Sequence, residues 1–200
     1  MQLDLRPEDD PIVGLRRWIG RARAELPRDE ADRVALATAN REGEPNVRIV
    51  LCRAIDERGG LFFYTNYESD KGIELAANPF AALVFHWAKL GRQLRAKGVV
   101  VRAPEAISDA YWASRPRLSQ LSALCSPQSR PIEGLSELAE RRERLEREFE
   151  GRPIPRPSHW GGFVLEPREI EFWQEGDARF HERLRFAKRH GAWAAEYLGA

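Results

Sequence analysis

Cysteine, lysine and long apolar runs are scarce in this sequence, and each scarcity excludes something. Cys52 and Cys125 are its two cysteines. They are too few for a disulfide framework and are not spaced as metal ligands, which fits a reducing, cytoplasmic setting. No run of about 18 apolar residues occurs, so no membrane-spanning helix is expected. Residues Met1 to Asp10 contain no apolar core of the kind a secretory signal needs. Neither sign of charge dominates: 32 Lys+Arg stand against 31 Asp+Glu, a net charge of +1. That balance argues against bulk binding of nucleic acid. Positive charge is almost all arginine, since Lys71, Lys89, Lys97 and Lys188 are the lysines. The phosphate-cradling glycine loops G-x-G-x-x-G and the P-loop are absent, as is the G-x-S-x-G nucleophile elbow. No histidine–carboxylate grouping has metal spacing, and no metal is expected.

What is present is enough for a core without staples: 200 residues, 42% of them hydrophobic, read as one domain over 1–200. Residues 1–10 form a short arm. Asp10 caps a helix that Pro11 opens, and Ile12, Leu15, Trp18, Ile19 and Ala22 make its apolar stripe. Val34–Ala39, Asn46–Arg53 and Leu61–Thr65 read as strands separated by the turns Asn40–Gly43 and Asp56–Gly60, an antiparallel meander. A short helix over Ser69–Ala77 precedes strands Phe80–Trp87 and Gln93–Arg102. Helical stretches follow at Ile107–Ala113, after Ser119 and over Ile132–Phe149. Residues 151–158 are a stiff, Pro-rich linker inside the domain. Trp160–Leu165, Glu169–Gln174, Arg179–Phe186 and Trp193–Leu198 close the set as strands. Short turns between seven to nine strands, with helices inserted, predict a mainly β, α+β fold: an antiparallel closed or split β-barrel rather than an alternating Rossmann sheet.

With no glycine cradle, a site here has to be made of side chains. Arg48 lies within an apolar strand, sharing a face with Val50 and Cys52, while Ile49, Leu51 and Arg53 share the other. A buried arginine needs an anion, and a phosphate suits its fork; the alternatives are pairing with a glutamate of the chain or a place at an exposed edge. Tyr64-Thr65-Asn66 leads into Ser69-Asp70-Lys71 at a helix start, which is either an anion site or a capped surface helix. Tyr111, Arg115 and Ser119 recur at four-residue intervals and offer a second phosphate clamp, against a solvated loop as the alternative. Strand alternation would place Arg179, His181 and Arg183 on one face, around an anionic or electron-rich ligand or simply wet beside Glu169 and Glu171. Cys52, inside an apolar strand, reads as core rather than nucleophile.

Several segments occur together in order: Arg48-Ile-Val-Leu51, Tyr64-Thr-Asn66, Arg92-Gln93, Ser114-Arg-Pro-Arg-Leu-Ser-Gln120, Gln128-Ser129, Trp160-Gly-Gly-Phe163, Ile170-Glu-Phe-Trp-Gln174 and Arg179-Phe-His-Glu-Arg183. In these the chain resembles the pyridoxine (pyridoxamine) 5′-phosphate oxidases, from about Trp18 to Trp193. The resemblance implies an FMN-binding split barrel and a homodimer with FMN at the interface. It implies oxidation of pyridoxine or pyridoxamine 5′-phosphate to pyridoxal 5′-phosphate, with O2 as acceptor and H2O2 released. Carried over residue by residue, it implies flavin contacts at Arg48, Ile49, Val50, Leu51, Tyr64, Thr65, Lys71, Gln93, Gln128, Ser129, Trp173 and Arg183. It implies substrate contacts at Arg53, Tyr111, Arg115, Ser119, Arg179 and His181, the last two also catalytic. The sequence departs from the family at Arg53, where lysine is usual, and at Asp70, where an arginine precedes the lysine. Its N-terminal arm is short and its C-terminus lacks the family's Arg-Leu-x-Pro. Two other readings stand beside this one: a related flavin oxidase acting on a phenazine-type ring, and a non-catalytic binder of FMN or pyridoxal phosphate.

Overall fold

The computed structural model describes residues 3–199; Met1 and Gln2 of the arm, and Ala200, lie outside them. Helix α1 (Pro11–Glu25) starts where Asp10 accepts from the Ile12 amide, and α2 (Arg28–Asp32) follows. The strands are β1 (Arg33–Ala39), β2 (Pro45–Leu51), β3 (Ala54–Ile55), β4 (Leu61–Asn66), β5 (Phe80–Trp87), β6 (Arg92–Arg102), β7 (Trp160–Gln174), β8 (Glu182–Arg189) and β9 (Ala192–Tyr197). Between them lie α3 (Asp70–Ala77), α4 (Glu105–Ser114), α5 (Arg117–Cys125) and α6 (Leu135–Glu148). No helix among the described residues is long and apolar enough to cross a membrane.

All ladders are antiparallel, in the order β2-β1-β5-β6-β7-β4-β3, with β8 and β9 attached through β7. Strand β7 branches the sheet. One edge pairs with β6, while the other pairs first with β4 over 160–165 and then with β8 over 169–174. It does so as one strand of 15 residues, where the sequence suggested two. Pro167 stands opposite Gly98 and Glu169 opposite Lys97, so Arg168 between them is the extra residue of a bulge that interrupts the register without ending the strand. A Cβ on Gly98 would lie 1.9 Å from the Glu166 carbonyl oxygen, so the close approach requires glycine. The curled, split sheet is the fold class expected from the sequence.

The meander is not as expected. Strands β1 and β2 form the hairpin read from the sequence, but β4 pairs with β3 and β7, not with β2. Two residues after β2 the chain crosses to the far end of the sheet path, leaving a gap between β2 and β4. A turn signal identifies a reversal, but it does not identify which strand the chain then joins. The C-terminal reading also changes. Arg179 belongs to a 3-10 turn over Asp177–Arg179, and β8 starts only at Glu182. Alternation therefore fails to place Arg179 and His181 on a strand face with Arg183.

The core lies between α1 and the concave side of the sheet. Leu15, Trp18, Ile19 and Ala22 are buried against Leu36, Phe85, Leu94, Phe172 and Phe186. Trp18 meets Phe172 edge to face at 5.1 Å. A second cluster forms around Trp112, Leu121, Ile154 and Trp160. It ties down the Pro-rich 151–158 stretch, whose Ile154 carbonyl accepts from Trp112 Nε1 at 2.8 Å. That anchoring fixes α4 and α5 beside the gap.

Candidate functional site

The gap between β2 and β4 is a cleft of about 970 Å³. Its walls are Arg48 to Leu51 of β2, Tyr64 to Asn66 of β4, Asp70 and Lys71 of α3, and the Tyr111–Ser119 stretch of α4 and α5. Arg53, Gln128 and Ser129 complete it. Thirteen of the residues singled out in the sequence thus converge here: Arg48, Ile49, Val50, Leu51, Arg53, Tyr64, Thr65, Lys71, Tyr111, Arg115, Ser119, Gln128 and Ser129.

At one end of the cleft, Lys71 is only 7% exposed. Its ammonium donates to neutral oxygens: Ser69 Oγ at 3.1 Å, Gln128 Oε1 at 3.2 Å and Thr65 Oγ1 at 3.3 Å. Burial pulls its pKa below the ordinary lysine value, and the Arg48 charge adds to this, outweighing Asp70 and Glu74. A buried cation solvated by neutral groups is the arrangement that an incoming anion stabilises. Ser69, with extended backbone, precedes α3 and makes no side-chain cap bond to it, so amides of the helix's first turn lack the usual capping partner.

Arg48 takes the carboxylate alternative. Its Nη2 lies 3.0 Å from Glu74 Oε2, and Nη1 donates to Thr38 Oγ1. Burial pushes the Glu74 carboxyl up, but hydrogen bonds from Thr38, Asn46 and Arg48, together with the Arg48 charge, bring it below the usual carboxylate range. The pair is locally neutral while Arg48 still lines the cleft.

At the other end, Arg115 lies over the Trp160 ring at 4.5 Å, and its Nη1 is buried without a hydrogen-bond partner. Burial holds its pKa down and the Arg53 charge adds to that, against the opposing effect of Tyr111. Pro116 interrupts the helix, so α4 ends at Ser114 and α5 begins at Arg117, yet Tyr111, Arg115 and Ser119 all face the cleft. Arg53 Nη1 contacts Asp29 Oδ1 at 3.2 Å and the fully buried Asp32 at 3.3 Å. Burial alone would lower the Arg53 pKa; Tyr111, Asp29 and Asp32 raise it instead. Between the two ends, Tyr64 stacks on Tyr111 with ring centroids 3.7 Å apart. Burial, Tyr111 and Cys52 push the Tyr64 hydroxyl up to about 12. Cys52 is likewise pushed to about 12 by burial, so it is a thiol in the core and not a nucleophile.

The remaining five residues do not line the cleft. Gln93, Trp173 and Arg183 stand opposite one another on β6, β7 and β8 and make one cross-strand row. His181 joins that row, its ring 4.6 Å from the Trp173 ring. Arg179 sits in the adjacent turn at φ 67°, following Ala178 at φ 51°. Two consecutive non-glycine residues in the left-handed region carry backbone strain of the kind that accumulates at functional sites. Sequence reasoning missed the acidic partners Asp29, Asp32 and Glu74. Their spacing from Arg53 and Arg48 is set by tertiary approach, and no local pattern announces it.

The chain is thus a split barrel with cationic side chains at both ends of one cleft and a separate Trp–His–Arg row. Residues 21–147 match the family model described as pyridoxamine 5′-phosphate oxidase. Residues 160–199 match the one described as the pyridoxine 5′-phosphate oxidase C-terminal dimerisation region. The chain belongs to the pyridoxamine 5′-phosphate oxidase family. It is 48% identical over 187 residues to the pyridoxine/pyridoxamine 5′-phosphate oxidase of Rubrobacter xylanophilus, covering 93% of this chain and 85% of that one. It is 47% identical over 191 residues to the protein of the same name from Synechocystis, covering 95% and 88%. Among solved structures, it is similar to PhzG from Burkholderia lata, determined with tetrahydrophenazine-1-carboxylic acid, at 29% identity, TM-score 0.90 and full coverage of both chains. An FMN-binding protein from Nostoc punctiforme shares the fold at TM-score 0.72 and 17% identity, covering 98% of this chain and 99% of that one.

Proposed function

We propose that this chain oxidises pyridoxine or pyridoxamine 5′-phosphate to pyridoxal 5′-phosphate as a homodimer, with FMN as cofactor and O2 as acceptor. The observation that carries the reading is the pair of anion-receptive ends in one cleft, Lys71 at one and Arg115 at the other. The residues fit a phosphate-bearing flavin. Lys71 is a buried cation with only neutral partners, and the start of α3 adds free amides beside it. Arg48, Thr65, Gln128 and Ser129 would complete that end, and the backbone and side chains of Ile49 to Leu51 would lie along the ring. The match to a dimerisation region supports a homodimer. In it, the partner subunit would bring the Gln93–Trp173–Arg183 row, with Arg179 and His181, to the open side of the cleft.

Bound FMN would supply a two-electron acceptor for the hydride from the substrate C4′, with O2 as the final acceptor and H2O2 as its product. The alcohol then yields the aldehyde directly, and the amine yields an imine that water hydrolyses with loss of ammonia. The protein binds and orients. Arg115, Tyr111, Ser119 and Arg53 hold the substrate phosphate, so that the ring stands over the stacked Tyr64 side of the cleft. Arg179 and His181 hold the ring from the other side. His181 Nδ1 accepts from the Gly176 amide at 3.4 Å, which leaves Nε2 as the nitrogen for the substrate hydroxyl or amine. Trp160, Trp112 and the Tyr64–Tyr111 stack keep water from the phosphate end.

The test is an aerobic assay with added FMN, offering pyridoxine and pyridoxamine with and without phosphate, and separately a tetrahydrophenazine carboxylic acid. Turnover confined to the phosphorylated vitamers, with peroxide formed in equal amount, is the expected result. Turnover of the phenazine acid alone, or indifference to the phosphate, would overturn it; the likeness to PhzG makes that the competing reading. Flavin bound without turnover of any compound would point to a carrier.

A pH effect follows from Lys71. Its pKa in the empty protein is lowered below 10.5, so charged Lys71 costs stability at neutral pH, and that cost is relieved as pH rises through the lowered value. A bound phosphate favours the charged form and raises the pKa again. Affinity for FMN should therefore be flat near neutrality and fall as pH rises through the empty-state value. Affinity for riboflavin should not. Flavin fluorescence titrations from about pH 7 to about pH 10 check both.

A further inference from the structure

We propose that Arg130 is a positioning residue of the cofactor end of the cleft: it offsets Asp70 and latches the Gln128–Arg130 turn over the start of α3. The inference rests on the FMN reading above. Four charged side chains surround that end, the cations Arg48 and Lys71 and the anions Glu74 and Asp70. Arg48 and Glu74 form their own pair at 3.0 Å and cancel. Lys71 and Asp70 remain, and their sum is zero. Asp70 is moreover the first residue of α3 and lines the cleft, so its carboxylate competes for the field and amides that an incoming phosphate would use. Left there, an anion site would hold no net charge to attract a dianion.

Arg130 changes the balance. Its Nη1 lies 3.6 Å from Asp70 Oδ1, and its Nη2 donates to the Glu68 carbonyl at 2.9 Å. The same turn carries Gln128, whose Oε1 takes hydrogen bonds from Lys71 and from Thr65 Oγ1 at 3.0 Å. Ser129 between them adopts φ 66°, and the Arg130 amide closes on the Pro127 carbonyl at 2.9 Å. One side chain thus restores a net positive charge and fixes the turn that presents Gln128 and Ser129. Arg130 and Asp70 are each about half exposed, so solvent screens the pair and the effect is a modest one.

The experiment is release of flavin from the holoprotein on dilution, followed by recovery of flavin fluorescence, with dimer content checked by size exclusion. Arg130→Ala is expected to raise the FMN dissociation constant about three- to ten-fold. Arg130→Lys should recover part of this, and Asp70→Asn added to Arg130→Ala should recover most of it. Riboflavin, which has no phosphate, should be released equally by all four proteins. The proposal is overturned if Arg130→Ala leaves FMN release unchanged. It is overturned equally if the variant weakens riboflavin as much as FMN, because the residue would then serve the turn alone. A parent protein that retains no FMN overturns the flavin reading itself, and this inference with it.

Discussion

Replacing Arg115 by alanine is expected to raise KM for the phosphorylated vitamers by roughly ten- to a hundred-fold, while the inhibition constants of the unphosphorylated ones change little. The estimate uses about 1.5–3 kcal/mol for a hydrogen bond to a charged group. Arg115 is suited to a loss of that size because its Nη1 is buried and unpartnered, so its hydrogen-bonding capacity is held for something the chain does not supply. Burial and the Arg53 charge already disfavour the guanidinium there, and a phosphate reverses both effects. Its neighbours cannot substitute for it. Arg53 is engaged by Asp29 and Asp32, and Tyr111 and Ser119 carry no charge. Arg115 also lies over Trp160 and Trp112, at 4.5 and 5.3 Å, so alanine removes packing as well as charge. Arg115→Lys keeps charge and stem but loses the fork, and it should fall between alanine and the parent. Thermal unfolding of each variant separates lost binding from lost fold. An equal rise in the inhibition constant of pyridoxine and in KM for its phosphate would show that Arg115 serves packing and does not read the phosphate.

Local chemistry made much of this molecule legible. The apolar run Phe80–Trp87, between Pro79 and Gly91, marked out β5, and Asp10-Pro11 marked the start of α1, because both signals are local to the element they define. The pairing of β4 was not legible. Its neighbours β3 and β7 are chosen by long-range packing, and nothing in Leu61–Asn66 distinguishes β2 from β7 as a partner. The 177–181 turn was misread for a related reason. Arg179-Phe-His-Glu-Arg183 alternates like a strand, but left-handed backbone at Ala178 and Arg179 delays the strand to Glu182. The site divides the same way. Arginines and aromatic residues announced themselves by type, whereas the carboxylates that engage them, Asp32 and Glu74 above all, became visible only when the chain was folded. The cleft itself exists because β4 joins the far end of the sheet path. The one long-range feature that local reasoning missed is therefore the one that makes the site.

The division of the candidate residues between two surfaces has a sharp consequence for mixed dimers. In one chain, Arg115 lines the cleft, while Arg179 and His181 lie beside the Trp173 row and do not. If each cleft is completed by the partner's row, Arg115→Ala spoils the cleft that carries it, and a double Arg179→Ala, His181→Ala change spoils the partner's. Each homodimer then has two damaged sites. A dimer of one chain of each kind has one site with both defects and one site with none, because a two-fold axis exchanges cleft and row between subunits. Random exchange makes half of the dimers mixed, each with one of two sites intact, so activity should recover to about a quarter of the parent level. Differently tagged chains, unfolded together, refolded and purified through both tags, would isolate the mixed dimer, and its activity should approach half. If cleft and row instead belonged to separate functions of one chain, mixing would give no more than the average of the two damaged proteins. Mixed dimers that form in full and remain at that average would remove the partner subunit from the site, and with it the roles proposed for Gln93, Trp173, Arg179, His181 and Arg183.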